Sequence, residues 1–418
     1  MSDSAPSVRP SVWWVLTATT ATQALASMTV LVPAAIAPVL GAALDLPTSL
    51  IGYQMTVTYA GGITTSLLGG ALVRRLGACR TSQTALALCA TGALLIASGL
   101  LPLIIIGSYI MGLGYGCTNP AAAHLLARFA SGPRMNLIFS IKQTGVPWGG
   151  MMAGLLVPSV TVALGWQAAV IMVACMSLAM LALLQRSRAA WDDDRDPSVR
   201  LLQSPLAAIK LVWTNPTLRY LSMTAMTLSF SQMCVSAFLV AMLVEEAGFA
   251  LVAAGIVLSV AQISSVVARL GWGWLADFLQ SGVLVLKILV ALMIAGAGAA
   301  IFLNPSWPVA AIYALFILLG VTAIGWNGVY MAAVARLAPP GQIGMATGGS
   351  LVMTFAGVLT GPALFSASTK ISGGYAPSFL LIVLIGSLGM VSLILAGRRD
   401  RMQAAAQATP ETGPQTPA

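Results

Sequence analysis

The sequence contains very little charge for its length. Of 418 residues, 58% are hydrophobic and only 7% are charged, too few to cover a water-exposed surface. The apolar runs contain neither a nucleophile–base pair nor a cluster of metal ligands, which argues against an enzyme. The composition therefore indicates a membrane protein with many spans.

Cysteine is scarce and scattered. The five cysteines are odd in number, widely spaced and mostly within apolar runs, so they indicate neither a disulfide framework nor a metal site. We interpret them as small apolar side chains, and the sequence predicts no metal and no cofactor.

The net charge of +9 does not indicate a nucleic-acid partner. The basic residues stand singly between apolar runs and form no basic patch with interleaved aromatics. Their distribution reports the membrane topology instead.

Runs of about 20 mostly apolar residues are long enough to cross a bilayer as helices. Twelve such runs are present, near 12–38, 50–73, 81–101, 103–128, 136–160, 165–185, 217–243, 251–276, 283–303, 308–336, 343–368 and 376–397. The predicted fold is therefore an all-α membrane protein with twelve transmembrane helices.

Lysine and arginine collect on one side of these spans. All but three of the 20 fall on the side that holds both ends of the chain and the long central break; Lys370 lies on the other side, and Lys142 and Arg269 lie within spans. Basic loops face the cytoplasm. We therefore expect both termini to be cytoplasmic. The expected location of the protein is the plasma membrane, namely the inner membrane of a bacterium.

A polar break divides the spans into two groups of six. It contains an acidic run at 192–196 and a short amphipathic segment that starts at Ser204-Pro205. We interpret the acidic run as a solvated linker. The expected organisation is a disordered N-terminal tail (1–11), an N-terminal six-helix bundle (12–185), a cytoplasmic linker with an amphipathic helix (186–216), a C-terminal six-helix bundle (217–397) and a disordered C-terminal tail (398–418).

The two groups of six spans resemble a repeat, because similar residues recur at nearly constant offsets. Thr20, Gln23 and Ser27 recur as Ser229, Gln232 and Ser236, 209 positions later; Asn119 and Arg128 recur as Asn327 and Arg336, 208 later; Gly70 and Leu72 recur as Gly273 and Leu275, 203 later. Two pseudo-symmetric bundles with a substrate site near the midplane are expected from such a repeat.

Twelve spans, a long central link and short motifs after spans two and eight resemble the major facilitator superfamily over nearly the whole chain. Its loop motif, Gly-x-Leu-x-Asp-Arg-x-Gly, is matched by Gly273 to Asp277. The first copy keeps Gly70 but has Arg74 at the acidic position, so the family's usual conformational switch is altered there. Residues 145–150 resemble the glycine-rich packing motif that some members carry between their halves.

Arg269 is a cation inside an apolar span. It precedes Asp277, at the membrane edge, by eight positions, about 12 Å of helix. Lys142 lies eight positions after the loop residue Arg134, at a similar depth in span five. Buried cations usually face a bundle interior or a watery cavity. We expect the two to clamp one anion; the alternative is that each snorkels to the membrane surface.

Ala268-Arg269 in span eight resembles the monocarboxylate and oxalate-type organic-anion carriers, in which an arginine of this span meets the substrate carboxylate. Where the monocarboxylate carriers have an aspartate one turn earlier, this chain has Ser265. Ser259, Gln262 and Ser265 form a polar stripe with Arg269 on an otherwise apolar helix.

Amides and tyrosines complete the predicted substrate site. In the family, spans one, four, seven and ten line the central cavity, and these spans contain Gln23, Asn119, Gln232, Asn327, Tyr115 and Tyr330. Hydrogen bonds between helices are an alternative explanation for the amides. His124 points away from Tyr115 around its helix, which favours packing or a position at the cytoplasmic end over proton transfer.

No Asp or Glu lies within a predicted span away from its ends. An exporter of cationic drugs generally needs a buried carboxylate, so this absence disfavours that function. The sequence predicts a monomeric secondary carrier of a small organic anion, a carboxylate, that works by alternating access in the lipid bilayer. The alternatives are a drug or neutral-solute exporter of the same fold and a non-transporting membrane sensor.

Overall fold

The computed structural model describes residues 11–129, 135–199, 206–339 and 342–408, and all regular secondary structure in these residues is helical. The helices are α1 (Val12–Ala35), α2 (Ala37–Leu44), α3 (Ile51–Leu76), α4 (Ala78–Ala97), α5 (Leu101–Phe129), α6 (Met135–Gln143), α7 (Gly145–Leu164), α8 (Trp166–Leu184), α9 (Arg188–Trp191), α10 (Leu206–Thr214), α11 (Pro216–Glu245), α12 (Leu251–Phe278), α13 (Gly282–Ala300), α14 (Val309–Leu319), α15 (Asn327–Leu337), α16 (Ile343–Ser372) and α17 (Tyr375–Ala408).

These helices build the twelve predicted spans, so the all-α membrane fold is confirmed. Within the described ranges, ten segments are long and apolar enough to cross a membrane by length and hydropathy. The other two spans, α3 and α4, carry more polar residues, and some of these pair with neighbouring helices. Gln54 of α3 donates to Ser108 of α5 at 2.9 Å, and Gln83 of α4 donates to Gln185 at 2.9 Å. Polar side chains that pair between helices are compatible with a membrane interior.

Two predicted spans are broken near the middle of the bundle. Span five consists of α6 and α7 with a turn at Thr144 between them. Span ten consists of α14 and α15, joined by a π-helical turn at Gly320–Ile324. Pro147, near the start of α7, has no N–H to donate to the carbonyl four residues earlier. The π-helical turn shifts the backbone hydrogen-bond pattern of span ten. Both breaks therefore change which backbone carbonyls are free to accept other donors.

The two halves meet through small residues on α7 and α12. A Cβ atom at Gly154 would lie 2.5 Å from the carbonyl oxygen of Gly255 and 2.6 Å from Ser259 Oγ. Ser259 Oγ also donates to the carbonyl oxygen of Met151 at 2.8 Å. Glycine and serine at such positions allow two helix backbones to approach closely, and this contact needs them.

A second contact joins α3 to α16 at the end of the bundle opposite the linker. Ser366 Oγ donates to the carbonyl oxygen of Ser49 at 2.6 Å, and Thr56 Oγ1 donates to that of Leu359 at 3.0 Å. Near the linker end, by contrast, a Cβ atom at Gly70 of α3 or at Gly348 of α16 would meet nothing within 4 Å. The halves are thus closed against each other at the far end and in the middle.

The predicted segment boundaries need two corrections. Helix α17 continues to Ala408, beyond the predicted start of a disordered tail at 398, because Arg, Met, Gln and Ala after the span are strong helix formers. The acidic run is not simply solvated, since Asp192 is buried against the N-terminal half. The predicted tails at 1–10 and 409–418 lie outside the described residues.

We expect Gly154→Val to weaken the α7–α12 contact, because its side chain would overlap the backbone of Gly255. Overpacking of this kind costs about 1–3 kcal/mol. The midpoint of thermal unfolding in detergent should fall by several degrees and transport should decrease. Gly298→Val is the matched control, since a Cβ at that helical glycine would meet nothing within 4 Å. Equal midpoints for the two variants would contradict the close approach of the two helices.

Candidate substrate site

Lys142 lies inside the N-terminal half and is held by amide oxygens. Its side chain is 3% exposed. The ammonium donates to Gln23 Oε1 at 3.1 Å and also to Asn119 Oδ1. Gln23 Oε1 accepts a second hydrogen bond, from Thr118 Oγ1 at 2.9 Å. The cation is therefore solvated by neutral dipoles and its ammonium does not extend to the surface.

Arg269 projects from α12 across the boundary between the halves. Its Nη1 donates to the carbonyl oxygen of Gln143 at 3.1 Å, and its Nη2 donates to that of Ile324 at 3.4 Å. The Nε atom is buried and has no hydrogen-bond partner. Since Gln143 directly follows Lys142, this contact brings the two intramembrane cations to the same region of the bundle.

The helix breaks explain why these two carbonyls can bind Arg269. Pro147 lies four residues after Gln143 and cannot donate an N–H to it, so the Gln143 carbonyl accepts from the guanidinium instead. Ile324 is the last residue of the π-helical turn. Trp272, one turn after Arg269, likewise donates Nε1 to the carbonyl oxygen of Val321 at 2.9 Å. The irregular backbone thus orients the arginine.

Among the residues that the structure describes, neither cation has a carboxylate partner. Across the described ranges, the ion pairs join His124 to Asp194, Arg128 to Asp193 and Asp194, and Arg336 to Asp277, all near the linker end. Ser265, where the monocarboxylate carriers have an acid, is buried and donates to the carbonyl oxygen of Gln262 at 2.6 Å. The positive charges of Lys142 and Arg269 are therefore uncompensated by protein charges.

The corresponding amides of the C-terminal half bond to each other rather than to a cation. Gln232 Oε1 accepts from Trp326 Nε1 at 2.9 Å and from Asn327 Nδ2 at 3.4 Å. Gln232 and Asn327 are the repeat equivalents of Gln23 and Asn119, between which Lys142 is inserted. The amides therefore recur at equivalent positions in both halves, and the N-terminal pair alone contacts a charged group, the Lys142 ammonium.

Several predicted lining residues differ in exposure. Asn119 is exposed, Tyr115 and Asn327 are half-buried, but Gln262 and Tyr330 are only 2% and 1% exposed. Gln262 packs on Gly150 of α7, and Tyr330 packs edge-on against Trp326 with ring centroids 5.4 Å apart. The last two therefore support the wall rather than line it. The indole N–H of Trp326 in turn orients Gln232.

Gln143 and Thr118 were not among the predicted site residues, although both contact them. The Gln143 side chain is exposed beside Lys142, and its backbone carbonyl accepts a hydrogen bond from Arg269. A sequence signal for Gln143 existed, since Pro147 four positions later predicts a free carbonyl inside a span. Thr118 had no such signal, because hydroxyl side chains are common in these helices.

The two copies of the loop motif are completed by different carboxylates. In the C-terminal half, Asp277 Oδ1 accepts from Arg336 Nη2 at 3.0 Å. In the N-terminal half the equivalent arginine is Arg128, and it binds the linker residue Asp193 through two contacts of 2.5 and 2.7 Å. Arg74 stands at the position equivalent to Asp277, so the linker supplies the carboxylate that the motif lacks. A Cβ at Gly70 or Gly273 would meet nothing within 4 Å.

Asp192 fixes the linker to the start of α4. Its Oδ1 accepts from the backbone N–H of Cys79 at 2.7 Å and its Oδ2 from that of Arg80 at 3.2 Å. Burial raises the pKa of Asp192, while these two hydrogen bonds oppose the rise. The Arg128 guanidinium holds the pKa of the neighbouring Asp193 below its ordinary value. The run interpreted as solvated therefore caps one helix and pairs with another.

Comparisons with known proteins agree with this geometry. The family model of the Major Facilitator Superfamily matches residues 17–349, so the chain belongs to that superfamily. A bacterial homologue of the human lysosomal transporter Spinster, solved in an inward-facing and unoccupied conformation, has a similar fold. The two chains share 15% identity with a TM-score of 0.71, and the match covers 94% of this chain and 98% of the other. A search of curated proteins found no match. The chain is therefore a membrane transporter by family and fold.

We expect Asp192→Ala to lower stability more than Asp193→Ala. The first change removes a buried carboxylate that caps α4, which costs about 1–2 kcal/mol. The second breaks an exposed ion pair, worth about 0–1 kcal/mol. Thermal unfolding midpoints of the two variants in the same detergent measure the difference. Equal midpoints would show that the cap contributes no more than a surface contact.

Proposed function

We propose that this transporter is a secondary carrier of a small organic anion, a carboxylate, that works by alternating access. The observation that carries the proposal is the environment of Arg269: a half-buried cation without an ion pair among the described residues and with an unpartnered buried Nε. A cation inside a membrane protein is costly and usually pairs with a charge or serves a function. An anionic substrate would supply the missing charge.

The guanidinium is suited to a carboxylate. Its five N–H donors form a planar fork that matches two carboxylate oxygens, and the carbonyls of Gln143 and Ile324 each occupy one donor nitrogen without neutralising the charge. Lys142 would add a point charge nearby, although it must exchange a contact with Gln23 or Asn119 to bind the substrate directly. This chemistry supports the resemblance to monocarboxylate and oxalate-type carriers.

Neutralisation by the substrate can couple binding to the change of state. Closing the linker end would remove water from the region of Arg269, and removing water from an unpaired charge is unfavourable. A bound carboxylate compensates this cost, so the loaded carrier would close more readily than the empty one. The contacts of α3 with α16 would then open as the two halves rock about the α7–α12 contact.

One chain supplies every residue of the proposed site. These residues are Gln23 (α1), Asn119 (α5), Lys142 (α6), Gln232 (α11), Arg269 (α12) and Asn327 (α15). A monomer is therefore sufficient for the proposed transport. The described spans offer no carboxylate away from their ends to receive a cationic drug, which disfavours a cation exporter of the same fold.

We propose that the linker end faces the cytoplasm, on the basis of the basic loops. Reporter fusions at Pro197 and after Arg80 should then report a cytoplasmic location, and one after Glu246 should report the opposite side. An external signal at Pro197 would reverse the orientation.

Substitutions of Arg269 test the anion site. Losing one member of a buried charge pair costs about 2–5 kcal/mol, so Arg269→Ala should weaken binding about 30-fold or more. Arg269→Lys should restore little, because an ammonium lacks the planar fork. Lys142→Ala should be milder, with Lys142→Arg partly active. Affinity for labelled carboxylates and membrane abundance are measured together for each variant.

Proteoliposomes containing the normal protein and Arg269→Ala provide the functional comparison. Uptake of labelled carboxylates by the normal protein only is the expected result, with Arg219→Gln as a control that removes a cation at the linker end. Normal carboxylate affinity and abundance in Arg269→Ala would refute the anion site. Transport of cationic dyes without carboxylates would favour the exporter, and failure with every solute would favour a sensor.

A further inference from the structure

A polar pocket lies beside the membrane edge where α8 ends. It has a volume of about 380 Å³ and is formed by the 3-10 segment Gln185–Ser187, by α9 and by the start of the acidic run. Its lining residues are Gln185, Arg186, Arg188, Ala189, Asp192 and Arg195. This pocket is separate from the substrate site, and the proposed transport makes no use of it.

The pocket carries a net positive charge. Three arginines and one aspartate give a formal charge of +2. Both oxygens of Asp192 accept backbone N–H groups of α4, and within the described part of the chain none of the three arginines forms an ion pair. The adjacent Asp196 is occupied by Ser198, which donates both its N–H and its hydroxyl to Oδ1. The guanidinium groups are thus available to an external anion.

Hydrogen bonds anchor the pocket segment to the N-terminal half on two sides, near the expected edge of the membrane. Trp14 Nε1, in the first turn of α1, donates to Ser187 Oγ at 2.8 Å, and Asp192 anchors the other end of the segment to α4. Trp13 is 68% exposed and Leu183, in the last turn of α8, is 41% exposed. Exposed tryptophan at a helix end is typical of the boundary between lipid tails and headgroups.

We propose that this pocket binds the phosphate of an anionic membrane phospholipid. Arginine binds phosphate oxygens through paired N–H groups, and a basic pocket beside spanning helices is suited to a lipid headgroup. The acyl chains would follow the apolar surface near Leu183 and Trp13. Because Asp192 belongs both to the pocket wall and to the cap of α4, the bound lipid would stabilise the linker against the N-terminal half.

Native mass spectrometry of the whole protein in detergent, titrated with phosphatidylglycerol or phosphatidylcholine, tests the proposal. The pocket variant carries Arg186→Gln, Arg188→Gln and Arg195→Gln. The control carries Arg75→Gln, Arg219→Gln and Lys287→Gln, which remove the same charge at the linker end outside the pocket. Each basic residue near a lipid surface contributes about fivefold to affinity, so the pocket variant should bind phosphatidylglycerol about 100-fold more weakly and the control nearly normally.

The single variant Arg186→Gln, at an exposed position, should lose about fivefold and guards against misfolding of the triple variant. Equal loss in the pocket variant and the control would overturn the proposal, because it would indicate general attraction to a basic surface. Competition by millimolar inorganic phosphate, together with no preference for phosphatidylglycerol over phosphatidylcholine, would assign the pocket to free phosphate and also overturn it. None of these outcomes depends on which solute is transported.

Discussion

The central constraint in this structure is a pair of positive charges in an apolar bundle that have no counter-charge in the described part of the chain. Lys142 and Arg269 are stabilised by amide and backbone oxygens, which solvate a cation but leave its charge intact. Such dipoles are a neutral substitute for water. The broken spans follow from the same need, since an unbroken helix ladder would have left Arg269 without the carbonyl of Gln143.

The repeat provides a frame on which the two halves have diverged chemically. Gln23 and Asn119 contact Lys142, whereas their equivalents Gln232 and Asn327 bond to each other. An asymmetric charge in a pseudo-symmetric frame would fix the orientation of the proposed anionic substrate, because its charged end would be attracted to Lys142 and to Arg269. The opposing amides of α11 and α15 would then face the remainder of that molecule.

Much of the fold could be predicted from the sequence, because apolar length and basic loops are properties of single segments. Arg269 and Lys142 could be selected for a related reason: charge is so scarce that each intramembrane cation needs an explanation. The exposure of individual side chains could not be predicted, because Gln262 and Tyr330 share helix faces with other predicted lining residues, and packing against Gly150 and Trp326 buries them. The contact of Asp192 with Cys79 joins positions 113 residues apart and has no local signal.

The attachment of the acidic run changes where the chain divides into folding units. Asp192 caps α4, and Asp193 pairs with Arg128 at the end of α5. The described residues up to Val199 therefore belong physically to the N-terminal half rather than to a connector. If the halves were produced as separate polypeptides, a cut before Arg186 would leave the first half with an uncapped helix and an unpaired arginine. A cut after Val199 would keep both contacts within the first half. Its tether to the second half is therefore shorter than the polar composition suggests.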